Sequence, residues 1–273
     1  MTTRGRTRLA DLPSAIIEKR QDFARDLFVV WLKTPERFEF KPGQYITIGV
    51  NGLERPYSIV SATQEPLIEL MIEHIFPEHG GQLTPRLWDL KVGDTVSYRP
   101  RAKGIFTLDT NYRDHVMLAT GTGIAPYVSI IRDYLARGDE GHRFFLLHGG
   151  SYQDEFVYDR ELFALADRHP GSVIYVPTVS RPASDLNEGW TGCTGRVNTI
   201  IEEHLATWQR HPETTLVYAC GNPGMIEDVK SRMAPAAWKV KEERFWKEDE
   251  APLSGSANLP STGKADSIEV QPA

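Results

Sequence analysis

Four consecutive residues, Arg55-Pro56-Tyr57-Ser58, set a fixed cation, a rigid turn former, an aromatic plane and a hydroxyl side by side. A guanidinium grips phosphate through parallel hydrogen bonds, a tyrosine ring stacks on a flat heterocycle, and a serine hydroxyl donates to or accepts from a ring nitrogen. A bound flavin would use all four. An ordinary strand start with a surface arginine would show the same residues, so the stretch takes its meaning from the rest of the chain.

Three further stretches carry chemistry. Gly80-Gly81-Gln82-Leu83-Thr84 precedes Pro85 and offers backbone N–H groups and a hydroxyl at a helix start, which suits a pyrophosphate. A plain cap by Thr84 explains it equally well. Thr120-Gly121-Thr122-Gly123-Ile124-Ala125-Pro126 joins a strand to a helix. Its glycines admit a ligand close to the backbone, and Pro126 suits the first helical position. The third glycine of a G-x-G-x-x-G fingerprint is absent, so a tight turn is the competing reading. Tyr218-Ala219-Cys220-Gly221-Asn222-Pro223-Gly224-Met225 ends the last apolar strand run. Ligands gather at the carboxyl ends of strands in open α/β sheets, which would bring Gly123 and Cys220 close together. Cys220 otherwise reads as a small buried hydrophobe, and Cys193 as structural or incidental.

The elements that must position these groups fall into two patterns. From Ser14 to about Leu108, short apolar or alternating runs read as strands: Ala15–Ile17, Leu27–Leu32, Gln44–Val50, Arg55–Ala62, Ile68–Ile75 and Asp94–Tyr98. Turn formers such as Lys41-Pro42-Gly43 and Asn51-Gly52 separate them, which predicts an antiparallel β-barrel or sandwich interrupted by helical character at Arg86–Leu90. After Asn111, strands and helices alternate. Strands are expected at His115–Ala119, Arg143–Leu147, Val173–Val179 and Leu216–Ala219, with helices at Tyr127–Ala136, Tyr158–Asp167 and Val197–Thr207. Alternation of this kind implies an open parallel α/β sheet. The expected division is a first domain over 1–111, a second over 112–246 and a disordered tail over 247–273, whose Pro, Ser and Gly content cannot bury enough surface to order itself.

At 273 residues the chain can fill two cores. A net charge of −6 argues against a general nucleic-acid binder. No apolar run approaches the roughly 18 residues of a membrane span, and Arg4, Arg6 and Arg8 are not followed by the apolar stretch of a secretory signal. Two cysteines are too few for a disulfide scaffold or a four-cysteine cluster. The expectation is a soluble, reduced, cytoplasmic protein without a metal site.

Taken in order, Arg55-Pro56-Tyr57-Ser58, Gly81-Gln82-Leu83-Thr84, Gly121-Thr122-Gly123-Ile124-Ala125-Pro126 and Cys220-Gly221-Asn222-Pro223-Gly224-Met225 resemble the ferredoxin–NADP reductase superfamily, and within it the bacterial ferredoxin/flavodoxin reductases. The resemblance runs from about Ser14 to Trp246. It implies that the barrel binds FAD and the α/β half binds NADP(H). Arg55 would hold the FAD phosphates, with Pro56 shaping the turn, Tyr57 stacking on the isoalloxazine and Ser58 reaching the flavin N5 region. The strand containing Met71, Glu73 and His74 would line the flavin with its backbone, and Gln82, Leu83 and Thr84 would form the pyrophosphate loop. Thr122, Gly121 and Gly123 would face the nicotinamide, with Gly221 nearby and Cys220 beside the hydride path, so that Tyr57, Ser58 and Cys220 form the catalytic set. Ser180, Arg181 and Arg196 would hold the 2′-phosphate. Phe245 and Trp246 would cover the adenine of FAD, or else anchor the last strand.

Two departures bear on this. Many relatives carry an arginine where this chain has Ser151, and the branch ends at the aromatic pair, whereas here Lys247–Ala273 follows and contributes −3 of the net −6. The resemblance implies exchange of electrons between NADP(H) and ferredoxin or flavodoxin, a two-electron hydride being divided through the flavin semiquinone, by a monomer. A carrier of that kind is acidic, and Arg86, Lys91, Arg99, Arg101 and Lys103 against Asp89 and Asp94 give Thr84–Gly104 a local +3, which a solvated face explains as well. The rival readings are an NAD(P)H-dependent flavin or oxygenase-system reductase, and a flavin-binding electron-transfer or sensor subunit that has lost nucleotide turnover.

Overall fold

The computed structural model describes residues 11–244. Phe245, Trp246 and the tail from Lys247 lie outside the described residues. Six strands form an antiparallel sheet: β1 (Ser14–Asp22), β2 (Leu27–Lys33), β3 (Tyr45–Val50), β4 (Leu53–Ser58), β5 (Ile68–Glu73) and β6 (Thr95–Tyr98), in the order β4-β3-β6-β1-β2-β5. An antiparallel bridge between Ile59 and Leu70, with the Val60 N–H on the Glu69 carbonyl at 2.9 Å, joins the two edges and closes the sheet toward a barrel. The run Leu27-Phe28-Val29-Val30 reads as continuously apolar because β2 feeds two cores. Phe28, Val30 and Leu32 point into the barrel, while Leu27 and Val29 pack against the second half of the chain. In β5, Leu70 and Ile72 face inward and Met71 outward in the same way.

The second sheet is parallel throughout: β7 (Asp114–Thr120), β8 (Arg143–Gly150), β9 (Val173–Val179), β10 (Cys193–Thr194), β11 (Thr215–Gly221) and β12 (Val240–Arg244), in the order β10-β9-β8-β7-β11-β12. A short helix α1 (Thr84–Trp88) follows β5, and α2 (Ala125–Ala136), α3 (Asp159–Arg168), α4 (Ile201–Thr207) and α5 (Pro223–Met233) supply the crossovers between parallel strands. Side chains alternate between the faces of this sheet. Met117, Phe144, Leu146, Leu216 and Tyr218 lie with α2 and α3. Val116, Leu118, Phe145, Leu147 and Val217 lie with α4 and α5. Strand order reverses between β7 and β11, so the crevice that such sheets open to ligands lies at the carboxyl ends of those two strands.

Polar contacts tie the halves together. Ser129 Oγ donates to the Ser61 carbonyl at 2.7 Å, Thr63 N–H to Asp133 Oδ1 at 2.9 Å, and Tyr158 O–H to Glu69 Oε1 at 2.8 Å. Arg132 on α2 pairs with Glu69 at 2.7 Å and with Glu161 at 2.6 Å. Three elements go beyond the sequence reading: β10, α5 and β12. No described helix is long and apolar enough to cross a membrane.

Candidate functional site

The Arg55–Ser58 stretch lies on β4, paired with β3 in the register Tyr45 to Ser58, Ile46 to Tyr57, Thr47 to Pro56 and Ile48 to Arg55. As an edge strand, β4 tolerates Pro56, which has no N–H to give a second neighbour. Arg55 is exposed, and its Nη1 donates to the carbonyl of Glu54 at 2.9 Å. The Glu54 carboxylate is taken by Arg99 instead, so Arg55 keeps an uncompensated charge for an anion. Burial pushes the Tyr57 hydroxyl up, against the pull of Arg55, and the phenol stays protonated. Ser58 is buried at the end of the strand.

The Met71–Glu73 stretch closes β5, with Met71 in the shared core and Glu73 half-buried. Burial, then Asp26 and Glu155, raise the Glu73 carboxyl to about 7. His74 stacks on Trp88 with ring centroids 4.8 Å apart, and its Nδ1 is buried without a hydrogen-bond partner. A buried unpaired nitrogen costs stability unless something outside the chain satisfies it. Gln82 is exposed and Leu83 buried in the barrel core. Thr84 does not cap α1: its hydroxyl accepts from the Ile75 N–H at 3.0 Å and donates to the Ile75 carbonyl at 3.1 Å, pinning the loop to the exit of β5. Gly81 is required there, because a Cβ would stand 1.8 Å from the Ile75 carbonyl oxygen.

At the crevice of the parallel sheet, Gly121–Ile124 form a 3-10 turn between β7 and α2. Gly121 has φ +52 and open space beside it, while a Cβ on Gly123 would sit 2.2 Å from the Cys220 carbonyl oxygen. Gly221, at φ +126, packs on Thr120, whose Oγ1 accepts from the Asn222 N–H at 2.9 Å. The two glycine stretches, Thr122 included, therefore share one edge by backbone contact. His148 supports it from below. A carbonyl can only accept, so His148 Nε2–H donates to the Gly121 oxygen at 3.3 Å, and Nδ1 takes the Tyr175 hydroxyl at 3.2 Å. Burial lowers this imidazole to about 4, keeping it neutral.

Cys220 is fully buried, and burial, then Glu243, push its thiol well above the ordinary range. It is a neutral packing group, with none of the thiolate character a nucleophile needs. Sequence reading missed Glu243. In β12 it stands in register with Cys220, and its Oε1 lies 3.6 Å from where a Gly104 Cβ would be, beside the Tyr45 ring. Its Oε2 is buried and unpartnered, and burial raises the carboxyl to about 7 despite nearby Lys241. The Glu243 carboxyl thus adjoins Gly104 and Tyr45, so β3, which pairs Tyr45 with Ser58 of β4, approaches the Cys220 edge here.

Ser180 and Arg181 leave the end of β9, where the Ser180 N–H bonds the Gly150 carbonyl at 2.9 Å. The Arg181 guanidinium lies over the Tyr152 ring at 5.4 Å and donates to its hydroxyl at 2.7 Å. Arg196 is exposed and follows Gly195, which is tied to Val179 and Thr178 at 2.9 Å each, so both arginines spring from neighbouring strand ends. The Ser151 N–H bonds Glu155 Oε2 at 2.9 Å, which sets a carboxylate beside Ser151. In the basic segment, Arg99 is neutralised by Glu54, which leaves Arg86, Lys91, Arg101 and Lys103 exposed.

The residues present fit the expected groups. There is a free cation and a protonated aromatic on β4, an unpaired buried nitrogen at His74, and an open glycine edge at the sheet crevice. Residues 14–130 match the oxidoreductase FAD-binding domain family and residues 117–231 the oxidoreductase NAD-binding domain family. The flavodoxin/ferredoxin–NADP reductase of Escherichia coli K12 is 31% identical over 235 residues, spanning 81% of this chain and 90% of that protein. NADH-cytochrome b5 reductase 1 of Bos taurus is 28% identical, over 67% of this chain and 66% of that protein. The fold matches that of a ferredoxin NADP+ reductase from Neisseria gonorrhoeae solved with bound FAD and NADP, at a TM-score of 0.73, 24% identity and coverage of 85% of this chain and 98% of that one. An FAD-binding antiparallel half and a nucleotide-binding parallel half, joined in this order and matched along their length, make the chain a member of the ferredoxin–NADP reductase family of oxidoreductases.

Proposed function

We propose that the protein exchanges electrons between NADP(H) and ferredoxin or flavodoxin, with FAD as its resident group. The observation that carries the reading is the approach of the β3–β4 pair, through Tyr45, to the Gly123–Cys220 edge at Glu243. The two halves divide near residues 109–113, between β6 and β7.

Arg55 would hold the FAD phosphates, Tyr57 would stack on the ring and Ser58 would hydrogen-bond at its edge. The backbone of Met71 to His74 and the Gln82–Thr84 loop would hold the remainder. Bound FAD supplies the capacity to pass electrons both in pairs and singly, which links a hydride donor to a one-electron carrier. The chain's own residues orient and seal. Gly121, Thr122 and Gly123 let the nicotinamide approach the backbone, and neutral Cys220 packs beside it without competing as a nucleophile. Glu243 holds a proton at its carboxyl up to about pH 7 and releases it above. Arg181 and Arg196 would meet the 2′-phosphate, and Arg86, Lys91, Arg101 and Lys103 would meet an acidic carrier.

A second reading, an NADH-linked flavin or oxygenase-system reductase, is favoured by the Glu155 carboxylate on Ser151. Anaerobic titration of the purified flavoprotein separates the two. Flavin bands that bleach faster with NADPH than with NADH, and carrier-dependent cytochrome reduction, are expected. Bleaching by NADH alone would sink the NADP reading, and a colourless protein would sink the roles of Arg55 and Tyr57.

A further inference from the structure

Asn187 is 3% exposed, yet it lies in a single 3-10 turn, Asp185–Asn187, outside the hydrophobic cores. Its amide is used on both sides. Nδ2 donates to the carbonyl oxygens of Ser151 and Arg181, each at 2.9 Å, and Oδ1 accepts from the Gln153 N–H at 2.8 Å. One side chain therefore ties the loop after β8 to the loop after β9. Gln153 adds a second layer, its Nε2 donating to the carbonyls of Leu186 and Glu188 at 3.0 and 3.1 Å. The product of this clamp is the Tyr152–Arg181 pair, one member from each loop, in hydrogen-bond and ring contact. An exposed arginine held against a ring loses less freedom on meeting an anion than one that samples every rotamer.

We infer that Asn187 is a positioning residue for nucleotide choice: by locking the two loops together it keeps Arg181 aimed, on its Tyr152 rest, at the 2′-phosphate of the nucleotide. The inference rests on the NADP reading above. Asn187 has no contact with Gly121, Gly123 or Cys220 among its hydrogen bonds, so it acts on the phosphate end and leaves the hydride end alone.

Two variants probe the clamp in the holoprotein. Asn187→Ala removes all three bonds, and Asn187→Asp keeps the acceptor for Gln153 but sets a carboxylate against two carbonyl oxygens. Arg181→Ala is the reference. The readout is kcat/KM for NADPH divided by that for NADH with a small dye acceptor, together with inhibition by adenosine 2′,5′-bisphosphate compared with AMP. Each Asn187 variant is expected to lower the ratio about tenfold, the size of one charge-assisted contact to phosphate. The loss should fall on the NADPH KM, with kcat and the NADH parameters within about twofold. If Arg181→Ala lowers the ratio and the Asn187 variants do not, the clamp is wrong and the NADP reading stands. If the Asn187 variants weaken both nucleotides equally, the side chain is a general support and the inference fails. A wild type indifferent to the 2′-phosphate, with Arg181→Ala silent, overturns the NADP reading and the clamp with it. Should neither Asn187 variant yield holoprotein, Gln153→Ala carries the same test in milder form, an unchanged ratio counting against the clamp.

Discussion

Arg99 closes on Glu54 across β3 through two hydrogen bonds, 2.9 Å from Nε and 2.7 Å from Nη2. Arg55 follows Glu54 on β4 with its side chain on the opposite face of the strand, so its guanidinium meets the Glu54 carbonyl and, among the described residues, no carboxylate. Arg55→Ala is expected to weaken FAD retention by roughly ten- to a hundredfold, since bonds to charged groups contribute about 1.5–3 kcal/mol. Arg99→Ala, which frees a carboxylate on the other face of β4, should leave retention near the wild-type value. The ratio of flavin to protein absorbance after dialysis measures both, and full retention in Arg55→Ala would remove that residue from the phosphate site.

Glu243 makes stability depend on pH with a defined sign. Its carboxyl is raised from 4.5 to about 7, so the folded chain keeps a proton that the unfolded chain gives up. The contribution of this group is therefore greatest at the acid end of this window and falls as pH rises through it, by about 3 kcal/mol in all. Above pH 7 the loss levels off. Between pH 5 and 7 in urea unfolding, Glu243→Gln is expected to lose less stability with rising pH than the wild type, over a background in which Glu73 shifts the same way and the buried His115 and His148 shift the opposite way. An identical slope in the variant would mean that Glu243 is charged in the fold.

Arg132 supplies the counter-charge for Glu69, which is 3% exposed and also takes the Tyr158 hydroxyl. Removing one partner of a buried pair costs about 3–5 kcal/mol because the other is left charged and dry. Arg132→Ala should lose that much in denaturant unfolding, and Arg132→Lys should recover part of it. A loss under 1 kcal/mol would show the pair to be solvent-screened.

The exposed cations Arg101 and Lys103 should matter to a protein carrier and little to a small molecule. Arg101→Glu with Lys103→Glu is expected to raise KM for an acidic carrier about tenfold at low salt, with the difference shrinking as ionic strength rises. Turnover with a small quinone should stay near the wild-type value. An unchanged carrier KM would move the docking face elsewhere.

Much of the architecture was legible because burial leaves a period. Met117 and Leu118 serve opposite faces of one sheet, and Leu27 and Phe28 serve two different cores, so the runs read as strands long before their partners are known. Helix α5 was hidden behind its own start: Asn222-Pro223-Gly224 drew attention as a glycine motif, although Met225, Ile226, Val229 and Met233 follow at helical spacing. Strand β12 is a charged edge, Lys241-Glu242-Glu243-Arg244, with no apolar alternation to betray it, and Glu243 went unseen with it. Asn187 was invisible for another reason. Its burial depends on Ser151 and Gln153, 36 and 34 residues earlier, and no local pattern records a partner at that distance.

The core shared by Leu27, Val29, Val60 and Met71 with Tyr127, Val128 and Ile131 limits how modular this molecule can be. A chimera that borrowed the nucleotide half of a relative would join a foreign α2 to the outer faces of β2 and β5. Unless those faces travelled with it, the graft would leave mismatched apolar surfaces at the seam. Recombination within the family should therefore succeed with α2, β2 and β5 inherited together, although they are far apart in the gene.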